Sequence, residues 1–417
     1  MINKKLKYVF IGVFAVLLIA SNKEVCAQQI GFDFPQGVRR VEIPFERHNN
    51  LIIIPITINN TFTLKFILDT GVQYAILTEK LIADWLNLKY DRRLIIQGPG
   101  ANDSISALVV QRISMELPGG VTSGINQSLL VLEKDYLDLK NNLGADVYGI
   151  IGYDIFSRFV VEINHDHNYI VLHEPHRFKG RGFKRKVPMK VVSTKPYINA
   201  SLTFENGSQS SMNLMVDTGA SHALLLHEDP NNNHFLPSKT LDAIIGRGLG
   251  GDINGFIGRV QGATIDRFHF ENPISSFPEP DDYGSPIKNS TRNGTIGGEI
   301  LIRFNLAFDY FKGYLHLSKS EEHKKKFEYD MSGMMFIAND LQLNSLKIIE
   351  IRENSPAEGA GLLPGDIITT INGRTIGKGS FNQLITLLRS KPGRKISIKF
   401  LRDQEELKTT FKLERMI

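Results

Sequence analysis

Two apolar segments of this chain run directly into the same three residues. The first reads 66-FILDTGVQYAIL-77 and the second 214-LMVDTGASHALLL-226. A carboxylate at the end of a buried strand costs free energy, so its appearance twice asks for a reason. The repetition goes further. Residues 148-YGIIGYDIFSRFVVEINHDHNYIVL-172 align without a gap to 293-NGTIGGEILIRFNLAFDYFKGYLHL-317, sharing Gly149/Gly294, Ile151/Ile296, Gly152/Gly297, Ile155/Ile300, Arg158/Arg303 and Phe159/Phe304. Between the two signatures, at corresponding places, lie the Gly-rich segments 95-IIQGPGANDSISA-107 and 244-IIGRGLGGDINGF-256. Whatever the fold is, the chain builds it twice.

From Val41 to Ser318 the sequence is a succession of short β-rich runs separated by Gly, Asn and Pro, such as 51-LIIIPITI-58, 105-ISALVVQRISMEL-117 and 197-YINASLTF-204. Strands at this spacing predict an all-β sandwich or barrel. The Gly-rich segments, flanked by β-type residues, read as hairpins. One helix is expected at 78-TEKLIADWLNL-88, with Thr78 as its cap.

A single Asp-Thr-Gly is an ordinary turn sequence. Two copies, each followed by a Gly-rich hairpin and an Ile-Gly turn, resemble the aspartic peptidases of the pepsin and retropepsin type over residues 41 to 318. The resemblance implies a mainly β, bilobal acid-protease fold with two related β-barrel-like lobes, at 41–175 and 187–318. It implies a catalytic pair, Asp69 and Asp217, supported by Thr70, Gly71, Thr218, Gly219 and Ser221. The turns Ile150-Ile151-Gly152 and Thr295-Ile296-Gly297 would pass beneath the pair. Flaps would be centred on Gly98 and Gly100 in the first half and on Gly248 and Gly250 in the second. Two carboxyl groups in contact share one proton, so the charged member can take a proton from water while the other protonates the amide oxygen. That chemistry needs no metal and no cofactor. The first motif departs from the pattern: Val72-Gln73 stand where the second has Ala220-Ser221, so Asp69 is expected to lack an outer hydrogen bond. Neither flap carries an obvious tyrosine, and the Gly-rich second one resembles those of bacterial pepsin–retropepsin hybrids.

After the charged stretch 319-KSEEHKKKFEYD-330, read as a polar linker, the run 348-IIEIRENSPAEGAGLLPGDIITTINGRTI-376 closely resembles a PDZ domain of the kind attached to exported bacterial proteases. A small α+β domain is implied at 331–417. Ser355-Pro356-Ala357 would open a short helix and Asn372-Gly373 close a hairpin. A peptide would add as a strand beside the amphipathic helix 380-SFNQLITLLRS-390. The loop 332-SGMMF-336, with Gly333, Met334, Met335 and Phe336, would hold its C-terminal carboxylate. The implied partners are a peptide or protein substrate and a PDZ ligand with a free C-terminus.

The N-terminus carries Lys4, Lys5 and Lys7, the apolar run 8-YVFIGVFAVLLIA-20 and then 25-VCA-27. The apolar run is shorter than the roughly 20 residues a membrane span needs. It reads as a signal peptide, 1–27, and the protein as exported, periplasmic or secreted, with no membrane span after cleavage. Cys26 is the one cysteine, so the mature chain would have neither disulfide nor thiolate metal site. A formal charge of +5, scattered or in short runs, gives no nucleic-acid surface. His165 and His167 are read as exposed turn residues, not metal ligands. The segment 246-GRGLGG-251 lacks the context of a phosphate loop. Ser221-His222 are neighbours in sequence, not a triad. One chain holds both acids, so a monomer suffices. The rival reading is a catalytically inactive peptide-binding or scaffold protein that retains the fold, favoured by Val72-Gln73 alone.

Overall fold

The apolar run 51-LIIIPITI-58 forms the strand Leu51–Ile58, buried along nearly its whole length because both its faces meet apolar side chains. It pairs with Phe62–Leu68, the strand that ends at Asp69. The structure, a computed structural model, describes residues 31–100, 104–227, 236–283, 292–339, 343–377 and 379–417. The segment 1–27, read as a signal peptide, lies outside the described residues.

Each half folds around a ten-stranded sheet; nine strands follow one shared order, and the tenth, Glu46–His48 in the first half and Lys190–Val192 in the second, pairs with Leu51–Ile58 and Lys195–Thr203 respectively. In the first, the order is Tyr90–Ile96, Ile105–Ile113, Gln127–Leu132, Ile76–Leu77, Gly149–Ile151, Phe62–Leu68, Leu51–Ile58, Met115–Leu117, Val121–Thr122. In the second it is Leu241–Gly248, Gly251–Arg259, Ile274–Pro278, Leu224–Leu226, Gly294–Ile296, Gln209–Val216, Lys195–Thr203, Gly262–Ile265, Phe268–Glu271. The repetition visible in the sequence is therefore a repetition of topology.

A third sheet joins the halves. Arg40–Pro44, Tyr169–His173 and Val160–Asn164 come from the first half, and Phe304–Asp309, Tyr314–Lys319 and Arg185–Pro188 from the second. The seam pairs Val161 with Phe308, Glu162 with Ala307 and Ile163 with Leu306. Both members of the gapless sequence repeat lie at this seam, and their alternating apolar residues pack beneath the lobes as one core.

The C-terminal unit is a sheet ordered Met334–Ala338, Leu346–Ile351, Ile367–Ile371, Lys395–Arg402, Glu405–Lys412, with its own core. The Ser355 hydroxyl caps the short helix Pro356–Gly359 by accepting the Glu358 N–H at 3.2 Å. Asn372 and Gly373 both take positive φ, as a tight hairpin requires. The helix Ser380–Leu388 buries Phe381, Leu384 and Leu388.

Three expectations change. The helix in the first lobe spans only Lys80–Trp85, and Thr78 does not cap it: its hydroxyl donates to the Tyr148 carbonyl at 3.0 Å. His165 is buried, not exposed, held edge-to-face against Phe45, and burial lowers its pKa to about 3, so it is a neutral core residue. The stretch 319–330 is no free tether. Phe327 is buried in the main core, the Arg303 guanidinium donates to the Glu322 carbonyl at 3.2 Å and to the Lys325 carbonyl, and Arg259 donates to the Phe327 carbonyl at 3.0 Å.

Phe308 is fully buried at the seam, with its ring edge-to-face on Phe156 at 5.3 Å. Phe308→Ala should cost roughly 3–5 kcal/mol, seen as a lower denaturant midpoint at unchanged slope. A cost below about 1 kcal/mol would mean that the seam does not hold the lobes together.

Candidate active site

The strands Phe62–Leu68 and Gln209–Val216 deliver Asp69 and Asp217 to the floor of the cleft between the lobes. Each aspartate is fixed from below. The Asp69 N–H donates to the Ile151 carbonyl at 2.8 Å, and the Asp217 N–H to the Ile296 carbonyl at 2.9 Å. Each carboxylate then accepts from the glycine two residues on: Gly71 N–H to Asp69 Oδ1 at 2.6 Å and Gly219 N–H to Asp217 Oδ1 at 2.8 Å. Gly219 has a second duty, since a Cβ there would fall on the Asp69 carboxyl.

The two threonines interlock. The Thr70 N–H donates to Thr218 Oγ1 and the Thr218 N–H to Thr70 Oγ1, both at 3.1 Å. Each hydroxyl donates onward across the interface at 2.7 Å, Thr70 to the Val216 carbonyl and Thr218 to the Leu68 carbonyl. Four hydrogen bonds in a dry interface tie the two loops to one another. Ser221 has a different place from the one expected: its carbonyl accepts Asn50 Nδ2 at 3.0 Å, and among the described residues its hydroxyl bonds to neither carboxyl. The inner hydrogen bonds of the two aspartates match, so Val72-Gln73 removes none of them.

Burial, then the charge of Asp217, holds the Asp69 carboxyl well above the usual carboxylate range, and a Cβ at Gly71 would meet both carboxyls. Burial also raises the Tyr310 hydroxyl, close enough to feel both acids and without a hydrogen-bond partner among the described residues. His222, buried beside Asp217, is lowered to about 4 by desolvation. Lys195 and Arg292 line the same cleft and are lowered by burial.

The Gly-rich hairpins, Tyr90–Ile96 with Ile105–Ile113 and Leu241–Gly248 with Gly251–Arg259, reach over the cleft and meet. The Gly250 N–H donates to the Pro99 carbonyl at 2.8 Å, and the Gly100 N–H to the Asp282 carbonyl at 3.1 Å. Gly98 lies against Leu249, where a Cβ would come within 2.7 Å of the leucine Cβ, and Gly248 lies against Pro99. Leu249 crosses from the second lobe's hairpin to pack with Val72 against the apolar wall of the first lobe. Residues 101–103 of the first tip lie outside the described residues.

A family model described as "Aspartyl protease" matches residues 54–155, and one described as "PDZ domain" matches residues 347–402. The chain carries an aspartyl protease domain and a PDZ domain. Similar curated proteins are the zinc metalloprotease RasP of Shouchella clausii, 39% identical over 72 residues, 17% of each chain. The probable CtpA-like serine protease of Staphylococcus saprophyticus is 28% identical over 100 residues, 23% of this chain and 20% of that one. The carboxy-terminal processing protease CtpB of Bacillus subtilis is 24% identical over 131 residues, 31% of this chain and 27% of that one. This chain spans less than a third of each, and the first name cites zinc and the second serine chemistry. The soybean Basic 7S globulin structure is 9% identical, covering 69% of this chain and 98% of its own, with a TM-score of 0.40.

The PDZ domain is docked on the protease. Asn382 accepts the Asn49 N–H at 3.1 Å and its amide lies 2.9 Å from His48 Nδ1, while Gly144 lies against Phe381. Of the four residues expected to hold a peptide, Met334 is in the PDZ core and Phe336 stands edge-to-face with Phe381 at 5.2 Å. The Gly333 N–H is already engaged, donating to Asp330 Oδ2 at 2.7 Å, and Ser332 also donates to that carboxylate. Met334, Met335, Phe336, Phe381 and Ile385 line the same cavity of about 1990 Å³ as Asp69 and Asp217. That continuity and the crossing of Leu249 carry no sequence signal, since each depends on how separate units pack.

The raised Asp69 carboxyl fixes a sign. Between its unfolded and folded pKa values the native state binds the extra proton, so stability is fullest below the unfolded value and falls as pH rises through the folded one. Asp69→Asn should therefore melt above the parent at pH 7, with the difference vanishing near pH 4. Thermal melts across that range check this, and a parent that is the more stable at pH 7 would refute the raised carboxyl.

Proposed function

We propose that this protein is an exported aspartic endopeptidase in which Asp69 and Asp217 share one proton and activate water. The carrying observation is the reciprocal threonine bonding, which holds the two carboxyls in contact on matching glycine donors. With one proton between them, the charged carboxylate takes a proton from the attacking water as the neutral one donates to the amide oxygen. The groups are positioned before the substrate arrives, and little reorganisation remains for the reaction. The paired hairpins exclude bulk water from this step. The pepsin–retropepsin subtype is supported by the shared seam sheet and by hairpins from both halves meeting over one cleft. Export rests on the lysines, apolar run and Val25-Cys26-Ala27 at the N-terminus.

The PDZ groove is taken to bind a peptide C-terminus beside the edge strand Met334–Ala338, in the cavity that also holds the acids. Because the domain is docked, a bound peptide acts from a fixed place on the cleft and not from the end of a loose tether.

Asp69→Asn and Asp217→Asn should each lower kcat by at least about a thousandfold while leaving the fold intact, since Asn keeps the shape and cannot share the proton. A statine-type peptide should block the parent. The assay is digestion of a denatured protein mixture from acid to neutral pH with sequencing of new termini. Turnover near the parental rate in either variant would remove the acid pair from the mechanism. For the PDZ groove, Ile385→Glu should weaken cleavage of a peptide with a free hydrophobic C-terminus more than that of its amidated twin. Equal effects on both peptides would exclude C-terminal capture.

A further inference from the structure

The repeat makes the two sides of the cleft directly comparable, and they differ in charge. Tyr197 pairs with Met215 across the second lobe's central strands as Ile53 pairs with Ile67 in the first. Met215 and Ile67 each stand two residues before an aspartate, so they share its face of the sheet. Two residues before Tyr197 is Lys195, and two before Ile53 is Leu51. The gapless alignment that matches Ile296 with Ile151 also matches Arg292 with Val147. On the first lobe Leu51, Ile53, Ile67 and Val147 belong to one apolar cluster. On the second lobe the same four positions are Lys195, Tyr197, Met215 and Arg292, and all four line the cleft.

The two cations have no internal partner that explains them. Among the described residues neither makes an ion pair with a carboxylate, and Arg292 Nε is buried without a hydrogen bond while its Nη1 lies 3.1 Å from Met215 Sδ. The carboxylates that act on them are Asp217, on both, and Asp69, on Lys195, and that pair carries a single charge when it shares a proton. Asp252 is held by Arg247 at 2.5 Å and Asp282 by the Asn254 N–H at 2.6 Å, so neither is free to serve. Residues 284–291, which precede Arg292 and lie outside the described residues, contain no Asp or Glu. Burying cations without counter-charge is costly, and an incoming anion would offset that cost.

We infer that the second lobe forms a cationic subsite, built from Lys195 and Arg292, that takes an acidic substrate side chain next to the scissile bond, while the first lobe takes an apolar one on the other side. The two halves share one strand order and each supplies one acid, so repeat-related pockets would flank the attacked carbonyl from opposite sides. The inference deepens the peptidase reading and rests on it. Tyr197 lines the same part of the cleft, close enough to Arg292 for the two to act on each other electrostatically.

The test uses peptides with Leu on one side of the cleaved bond and Glu, Gln or Lys on the other, in both orders. In one order the full-length protein should cleave the Glu peptide with kcat/KM roughly tenfold or more above the Gln peptide, the scale of a charge-assisted hydrogen bond, with Lys worst. Salt should erode the preference. Lys195→Met and Arg292→Met should each shrink the Glu-to-Gln ratio, and Arg292→Glu should reverse the order of Glu and Lys. The same peptides are titrated calorimetrically into Asp69→Asn, which reads the subsite without turnover. Cleavage by the parent with no Glu preference in either order overturns the subsite and leaves the peptidase reading standing. Glu-selective binding with no cleavage of any peptide does the reverse.

Discussion

Everything in the cleft depends on four hydrogen bonds between Thr70 and Thr218 and the strands that carry them. Two buried carboxyls in contact repel unless they share a proton, and a loop left to itself would turn its acid toward solvent. The threonine hydroxyls prevent this because each satisfies a backbone group of the opposite lobe in a dry interface, where an unmade bond is costly. The lobes are also joined below through the six-stranded seam sheet. The seam sets their spacing and the threonines set the angle of the loops, so the acid pair is a product of folding and not of substrate binding.

The same economy of contact fixes the PDZ domain. Arg303 matches Arg158 in the repeat, yet the two do different work. The Arg158 Nε donates to the Phe32 carbonyl at 2.9 Å, binding the N-terminal segment to the first lobe. Arg303 instead gathers the carbonyls of Glu299, Glu322 and Lys325 and so turns the charged stretch into a docked strap. Arg415 pairs with Glu328 at the end of that strap. With Asn382 bonded to the first lobe, the PDZ groove is held at the cleft from both sides.

Much of this was legible in the sequence, for a definite reason. The strands, the acid pair and the turns beneath it are local features repeated twice, and a repeat separates constrained positions from incidental ones. Thr70 and Thr218 could be placed with the aspartates because they belong to the same tripeptides. Ser221 could not be resolved that way, because whether its hydroxyl or its carbonyl is used depends on Asn50, far off in the chain. The buried state of His165 was equally hidden: a turn sequence says nothing of Phe45 or of the seam strand packed against it. Lys319 to Asp330 look like a tether because their charge suggests solvent, whereas Phe327 and the carbonyls taken by Arg303 and Arg259 decide their place. Lys195 and Arg292 were visible only by laying one half on the other and asking which apolar positions had become charged.

The departure at Val72-Gln73 has its own physical sense. A small residue followed by a hydroxyl would leave the first lobe's wall open beside Asp69. Val72 instead packs on the apolar clusters of the first lobe, and Leu249 from the other lobe's hairpin packs on the same clusters. The hairpin tips are already tied by the Gly250 to Pro99 bond, so this contact adds a hydrophobic anchor to a polar one. On the second lobe the matching residue is the small Ala220, and Lys195 and Arg292 line the same cleft. The cleft is therefore symmetric in its acids and glycines and asymmetric in its walls. The proposed chemistry would need the first property, because a shared proton calls for equivalent groups. Selectivity needs the second, because an extended peptide is directional and a fully symmetric cleft could not tell its two ends apart.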